Sequence, residues 1–299
     1  MRTMCRALFV LIAIAIAPGP STAADLPAIV TTEWLEKNVQ TGLTIVDIRK
    51  VEEYREGHIP GAINVFYGTW AMKRGGLDNE LPAAEDLADV LDAAGIRPES
   101  RVVVAGKVDT VPDRANNTRV AWTLAYAGVG AVGILDGGYA KWQAEKRAVS
   151  TERPRPAPAT VAWKPRTEIF ADKAHVLARR GQALVVDTRM PDFFFGVAKL
   201  DFVDRAGRVA GAVSLPTPWI FEKDGRFKSV DDLRAMAVSV VGNDPGREII
   251  TYCDTGRLAT GWWWVLTRVL GYQNVRMYDG SSQDYARDSS APMARYGWQ

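Results

Sequence analysis

The chain has 299 residues, of which 37 are Lys or Arg and 35 are Asp or Glu, and 47% are hydrophobic. Charges so nearly balanced give no strong attraction to nucleic acid or to an anionic membrane, so neither is expected as the main partner. The length exceeds what one hydrophobic core usually serves, and it therefore favours two domains over one.

The first 24 residues have the order of a secretory signal peptide. Arg2 and Arg6 precede an apolar run over residues 7–17, and small residues follow up to Ala24. A membrane anchor is the alternative, but the run is shorter than the roughly 20 residues that a membrane-spanning helix needs. We therefore expect residues 1–24 to be removed, which places the mature protein in the periplasm or outside the cell. Removal takes away two basic residues and no acidic one, so the mature charge is 35 minus 35, or zero.

The use of cysteine singles out one residue. Cys5 lies in the signal segment, so Cys253 is the only cysteine expected in the mature chain. One thiol cannot form an internal disulfide, and exported proteins usually pair their cysteines or lack them. We expect such a thiol to be either deeply buried or used in chemistry.

The rest of the chain contains one unit written twice. The corresponding segments, in the same order in both halves, are residues 43–49 with 183–189, residues 59–65 with 209–215, and residues 134–138 with 277–281. Ordered repetition of this kind indicates duplication followed by loop changes. Between the copies, a proline-rich segment favours extended backbone and is interpreted as a linker. We predict a first domain over 25–150, a linker over 151–166 and a second domain over 167–299.

Short apolar runs alternate with helical patterns in both halves. The runs at 102–105 and 249–252 are apolar at consecutive positions, which is typical of strands buried on both faces. The stretches at 85–94 and 259–270 predict helices. This alternation indicates an α/β fold in which each domain has a mainly parallel sheet flanked by helices on both faces. Ligands of such folds bind beyond the carboxyl ends of the strands.

Cys253 directly follows one predicted strand, and a short loop joins it to the next predicted helix. Backbone amides of such a loop, together with the helix dipole, stabilise an anion. We therefore expect the thiol to ionise more readily than an ordinary cysteine, whose pKa is about 8.5. Gly256 permits a positive backbone torsion or a close approach of substrate. A buried structural thiol is the alternative interpretation.

With these motifs, the chain resembles the tandem-domain rhodaneses, the family of thiosulfate and 3-mercaptopyruvate sulfurtransferases. Residues 54–65 are similar to the family's amino-terminal signature, and residues 278–285 are similar to its carboxyl-terminal one. In the second signature Ser282 replaces the usual aromatic residue and Asp284 replaces glutamate. The resemblance implies two tandem rhodanese-like domains over essentially the whole mature chain.

The resemblance implies a double displacement at Cys253. The cysteine takes the outer sulfur of thiosulfate, or of a related donor, as a persulfide and passes it to cyanide or a thiol acceptor. It implies no metal ion and no organic cofactor, because the loop amides steady the negative charge. The implied partners are a small-molecule donor and a cyanide, thiol or protein acceptor, and a monomer is the default state. Gly106 takes the place of the cysteine in the first domain, which is therefore expected to be non-catalytic.

The resemblance defines the binding residues less sharply. The expected substrate-binding loop consists of Asp254, Thr255, Gly256, Arg257 and Leu258. Its first two residues match neither the basic pattern of thiosulfate enzymes nor the small residues of mercaptopyruvate enzymes. Many family members carry a substrate-binding arginine where Phe193 stands, which leaves Arg257 as the best cation for an anionic donor. We expect Asp254 to face solvent, pair with Arg257 or point inward. The role of Asp187 and Arg189 stays open, because they could either contact the substrate or form a structural ion pair.

The sequence leaves alternative functions to weigh, and they differ in whether Cys253 takes part in the chemistry. A 3-mercaptopyruvate sulfurtransferase and a non-enzymatic sulfur carrier would both use Cys253, whereas a degenerate binding domain would leave it unreactive. A cysteine phosphatase would need arginine where Ala259 stands, so that class is disfavoured. His58 is not expected to take part in catalysis, because Arg208 occupies its position in the second half, and His175 is expected in solvent. The aromatic residues at 193–195, 219 and 262–264 are expected mostly in the core, with one ring as a candidate for the cleft wall.

Overall fold

The computed structural model describes residues 26–297, so the predicted signal peptide over 1–24 lies outside the described residues. The elements of the first half are β1 (Ile29–Val30), α1 (Thr32–Asn38), β2 (Leu43–Asp47), α2 (Val51–Glu56), β3 (Ile63–Asn64), β4 (Met72–Arg74), β5 (Leu77–Glu80), α3 (Ala84–Ala93), β6 (Arg101–Ala105), α4 (Val111–Ala127), β7 (Ala131–Leu135) and α5 (Gly138–Ala144). A short 3-10 turn covers Tyr67–Thr69.

The second half repeats this series of elements with other loops. Its elements are β8 (Phe170–Ala171), α6 (Lys173–Arg179), β9 (Leu184–Asp187), α7 (Pro191–Phe194), β10 (Arg208–Val209), β11 (Val213–Ser214), α8 (Val230–Val241), β12 (Ile249–Tyr252), α9 (Ala259–Trp264), β13 (Val275–Tyr278), α10 (Ser281–Tyr285) and β14 (Met293–Ala294). Further 3-10 turns lie at Thr167–Ile169 and Thr217–Ile220, and α9 continues as a π-helical turn over Val265–Val269.

Each half is organised around a five-stranded parallel sheet. The strand orders are β1-β7-β6-β2-β3 and β11-β9-β12-β13-β8, which are the same order read from opposite edges. All pairings within the two sheets are parallel. Two small antiparallel pairs, β4 with β5 and β10 with β14, are added outside the sheets. The predicted α/β class and the internal duplication are confirmed.

The central strands explain why the sequence shows unbroken apolar runs. β6 and β12 lie third in their sheets, with a strand on either side and helices over both faces. Val102, Val103, Ile249 and Ile250 are all fully buried. A residue on either face of such a strand is shielded from water, so the alternating pattern of a half-exposed strand is absent.

One hydrophobic core extends across the two halves, so they are not separated by a hydrated interface. α4 of the first half packs against α9 of the second, and the hydroxyls of Thr118 and Thr260 are 2.8 Å apart across this contact. Trp262 and Trp264 are fully buried in the same apolar cluster as Trp122 of the first half. This packing fixes the relative position of the halves and hence the shape of the cleft between them.

The helices and the connecting segment complete the architecture. No regular element lies between Ser150 and Thr167, and this segment is held along the first half, with Ala159 donating to the carbonyl of Asp92 at 2.8 Å. Among residues 26–297, no helix is both long and apolar enough to span a bilayer.

Candidate active site

Cys253 lies at the carboxyl end of β12 and is 1% exposed. The backbone amides of Thr255, Leu258 and Ala259 donate to its sulfur, so the loop curls around the thiol. Gly256 makes this curl possible, with a φ of +73° and no room for a side chain, because an added Cβ would stand 2.5 Å from the carbonyl oxygen of Asp279. The structure thus brings the cysteine and the predicted loop together as an amide cradle for an anion.

Ser281, at the start of α10, holds the cradle in shape. Its hydroxyl accepts hydrogen bonds from the amides of Cys253, at 3.1 Å, and Gly256, at 2.9 Å, and donates to the carbonyl of Tyr278 at 2.7 Å. The next amide, of Ser282, donates to the carbonyl of Cys253 at 3.0 Å. The segment that resembles the carboxyl-terminal signature therefore serves to clamp the cysteine loop.

The expectation that Cys253 ionises readily is wrong for the resting protein. Complete burial raises the pKa of the thiol above its ordinary value, and the neighbouring Asp254 carboxylate raises it further. The three amides that donate to the sulfur lower the pKa but do not outweigh burial. The raised pKa favours the thiol over the thiolate at neutral pH.

Asp254 points inward and pairs with Arg189, not with Arg257. Arg189 Nη1 is 3.2 Å from Asp254 Oδ1, and Arg189 Nη2 is 2.6 Å from Asp187 Oδ2. The hydroxyl of Tyr252 also donates to Asp187, at 2.7 Å. Burial raises the pKa of Asp254, and Arg189 only partly offsets this effect. Because Asp187 and Arg189 are fully engaged with one another and buried, the structure favours their structural role over substrate contact.

Arg257 is the cation that faces the cleft. It lines the same cavity as Cys253, and its Nε atom has no hydrogen-bond partner among the described residues. Its guanidinium also contacts the hydroxyl of Tyr67, which belongs to the first half. Burial raises the pKa of Tyr67, and Arg119 and Arg257 partly counter this. An anionic donor entering the cleft would meet Arg257.

The hairpin of β4 and β5 reaches from the first half to the cysteine loop. Asn79 adopts a positive φ of 58°, and its side chain accepts from the Tyr67 hydroxyl and donates to Thr255 Oγ1, both at 3.0 Å. The amide of Asp78 donates to Gln283 Oε1 at 2.8 Å. These bonds tie the first half directly to the catalytic loop, which the sequence analysis did not foresee.

A buried ion pair lies under the same loop. Arg119 of α4 is fully buried, and its Nη1 is 2.5 Å from Asp279 Oδ1. Asp279 also accepts from the amide of Leu81 at 2.9 Å. Glu80 stands nearby, and one of its carboxylate oxygens has no hydrogen-bond partner in the described part of the chain. Burial together with the charge of Asp279 raises the pKa of Glu80 to about 7. The first half thus supports the loop from below as well as from the side.

The corresponding position in the first half is occupied by Gly106 at the carboxyl end of β6. A Cβ added there would stand 2.5 Å from Asn117 Oδ1 and 2.7 Å from Ile48 Cγ1, so no cysteine side chain fits without displacement. His58 is fully buried, stacks on Tyr54 and contacts the carbonyl of Glu152 at 2.7 Å. Both observations agree with a first half that contributes structure rather than a nucleophile.

His175 is not simply solvated, because its Nε2 lies 2.9 Å from Glu248 Oε1. The aromatic ring that lines the cleft is Phe202, which the sequence analysis did not name, and Trp262 to Trp264 are buried instead. Within residues 26–297, no group of three or more His, Cys, Asp or Glu side chains is placed to hold a metal ion.

A model of the rhodanese-like domain matches residues 31–145 and 170–288, which are the two repeated units of the fold. The chain belongs to the rhodanese family. A "Putative thiosulfate sulfurtransferase" of Mycolicibacterium smegmatis is 31% identical over 89% of this chain and 96% of the relative. A protein of the same name from Saccharopolyspora erythraea is also 31% identical, over 89% of this chain and 95% of its own.

Solved structures share this rhodanese fold at lower identity. YnjE superposes with a TM-score of 0.77 at 24% identity, over 90% of this chain and 68% of that chain. An anaerobic ergothioneine biosynthesis enzyme from Chlorobium limicola does so with a TM-score of 0.76 at 20% identity, over 90% and 70%. Together with the family model and the relatives, these findings confirm the tandem rhodanese architecture and the sulfurtransferase class predicted from the sequence.

Proposed function

We propose that this rhodanese transfers sulfane sulfur from thiosulfate to cyanide or a thiol through a persulfide on Cys253. The observation that carries the proposal is the position of this sulfur, which lines the cleft and accepts hydrogen bonds from three amides of its own loop. The relatives that match 89% of this chain carry the name "Putative thiosulfate sulfurtransferase".

The first half-reaction loads the cysteine. The Cys253 sulfur gives up its proton and attacks the outer sulfur of thiosulfate, and the sulfur–sulfur bond of the donor breaks with its electron pair leaving on sulfite. Arg257 is the cation available to the departing anion, and the amides of the cradle stabilise the negative charge of the persulfide. Because these donors are already in place, no reorganisation of the loop is needed.

The second half-reaction removes the sulfur from Cys253. Cyanide or a thiolate attacks the outer sulfur of the persulfide, the sulfur–sulfur bond breaks, and its electron pair returns to the Cys253 sulfur. The product is thiocyanate or a new persulfide, and the thiol is restored when it regains a proton. Covalent storage of the sulfur divides one transfer into two displacements at the same atom.

The compartment and assembly state belong to the same proposal. The leader predicted over residues 1–24, and the single cysteine that would remain after its removal, support a protein that acts after export, in the periplasm or beyond it. The shared core of the two halves supports a monomer, because the chain already supplies the second wall of its own cleft. Small thiols and a protein acceptor both fit this setting.

Steady-state turnover tests the proposal. Purified protein is given thiosulfate and cyanide, and thiocyanate is measured for the native chain and for Cys253→Ala. We expect turnover by the native chain and a loss to background in the variant, and 3-mercaptopyruvate in place of thiosulfate is expected to turn over more slowly. Thiocyanate formation that survives in Cys253→Ala would show that the sulfur travels by another route.

A further inference from the structure

The cleft above Cys253 is much larger and less polar than thiosulfate or cyanide requires. Its volume is about 710 Å³, inside the range of about 300–1,000 Å³ that holds organic ligands of moderate size. Small inorganic ions would leave most of it to water. The volume of the cleft therefore indicates one larger substrate, and the residues that line the cleft indicate the chemistry of that substrate.

Apolar side chains form most of the wall, and they come from both halves. Val111 and Pro112, at the amino end of α4, face Met190, Leu200 and Phe202, which follow β9. Met190 is 40% exposed and Phe202 is 41% exposed, although both are large apolar residues. Exposed apolar surface that converges on a reactive sulfur is the usual mark of a site that buries an apolar group.

The charges of the lining are few and nearly cancel. Arg257 is the cation among the lining residues, and the carboxylates are Asp78 and Asp254. Asp254 is already paired with Arg189, and Asp78 lies 3.6 Å from Lys73 Nζ, which is largely exposed. A substrate with several negative charges would face two carboxylates and only one cation in this cleft. An uncharged substrate would meet no such repulsion.

From this lining we infer that the acceptor of the second half-reaction is a small organic thiol with an uncharged, apolar body, which fills the cleft while its sulfur reaches the Cys253 persulfide. The inference rests on the proposed function and narrows its acceptor. The acceptor thiolate attacks the outer sulfur, the bond to Cys253 breaks with its electrons returning to the cysteine, and the acceptor leaves as an organic persulfide. Met190 and Phe202 are the specificity-determining residues.

The experiment uses a series of straight-chain alkanethiols from ethanethiol to hexanethiol, with thiosulfate as donor. Their thiol groups have closely similar acidity, so differences in rate report the alkyl chain. Each buried methylene is expected to raise kcat/KM about fourfold. 6-Mercaptohexanoate, with a charged end, is expected to fall well below hexanethiol. A kcat/KM that does not change along the series would overturn the inference.

Variants locate the effect in the cleft. Met190→Ala and Phe202→Ala are expected to flatten the dependence of kcat/KM on the length of the alkyl chain. Val197→Ala is the matched control, because Val197 is a 74% exposed apolar residue of the same loop that does not line the cleft. Unchanged dependence in Phe202→Ala and Met190→Ala would contradict the assignment.

A second measurement separates this inference from the proposed function. Alkyl methanethiosulfonates attach directly to a free thiol and need no sulfane transfer, so they probe the cleft in a protein that is never loaded. We expect Cys253 to react faster with the hexyl than with the methyl reagent, and the difference to shrink in Phe202→Ala. Loss of this difference refutes the apolar acceptor site, whereas failure of thiosulfate loading with the difference intact refutes only the donor chemistry.

Discussion

The side chain of Asn79 donates a hydrogen bond of 3.0 Å to the hydroxyl of Thr255, two residues beyond Cys253. The donor lies in the first half of the chain and the acceptor in the catalytic loop of the second. Asn79 also accepts from Tyr67, so one side chain holds both walls of the cleft in register. This contact explains why a half that lacks a cysteine matters to the reaction.

Asn79→Gly tests the contact without adding backbone strain, since glycine tolerates the positive φ of this position. Thr255→Ala loses this bond alone, and we expect kcat/KM for sulfur transfer to fall about threefold to tenfold, the usual range for one lost hydrogen bond. Asn79→Gly also loses the bond from Tyr67 and should cost more, and the double variant should cost little more than Asn79→Gly alone. Fully additive losses would mean that the two side chains do not act as a pair.

The ionisation of Cys253 is expected to be controlled by Asp254. Because burial and this carboxylate raise the pKa of the thiol, the reactive thiolate gains population as pH rises and is scarce at neutral pH. The rate of alkylation by iodoacetamide should therefore climb through pH 8 and beyond. Asp254→Asn removes the negative neighbour, so the climb should begin at lower pH. Glu99→Gln, an exposed change just before β6 of the first half, should leave the curve unmoved.

Glu80 makes the stability of the fold depend on pH. Its folded pKa of about 7 lies above the ordinary value of 4.5, so the folded state retains the proton. The stabilisation is present below the ordinary pKa and is lost as pH rises through the folded one. Glu80→Gln, which stays neutral, should be more stable than the native chain at pH 8 by about 1–2 kcal/mol after allowance for partial exposure, and no more stable at pH 4. Thermal unfolding at both pH values measures this, with Glu56→Gln as an exposed control.

Restoring a cysteine to the first half should not restore chemistry there. In a Cys253→Ala background, Gly106→Cys is expected to give no thiocyanate, because Asn117 and Ile48 occupy the space for the new side chain. The same crowding should lower stability by about 1–3 kcal/mol. Measurable turnover by this double variant would show that the first half retains a working site.

The fold was predictable from sequence because its signals are local. The strand predicted at 249–252 is β12, and the strand predicted at 102–105 is β6 with Arg101 added. The helix predicted over 259–270 instead leaves the α-helical geometry after Trp264 and continues with π-type hydrogen bonds to Val269. Apolar pattern alone cannot separate these two geometries, since both bury the same side chains.

The site was predictable only in part. Cys253 and its loop are contiguous, so their chemistry is visible in the sequence. Tyr67, Asn79 and Arg119 lie in the first half and reach the site only through packing of the two halves. No local pattern indicates that the hairpin of β4 and β5, which carries Asn79, contacts the loop of the second half. The pKa of Cys253 was predicted in the wrong direction, because the degree of burial around a strand end is not encoded locally.

Mass spectrometry of the peptide that contains Cys253 tests the central claim most directly. After incubation with thiosulfate and removal of excess donor, we expect this peptide to gain the mass of one sulfur atom, and to lose it again when cyanide is added. The cradle of amides around the thiol is the physical reason for a persulfide stable enough to observe. A Cys253 peptide of unchanged mass after exposure to thiosulfate would contradict the account.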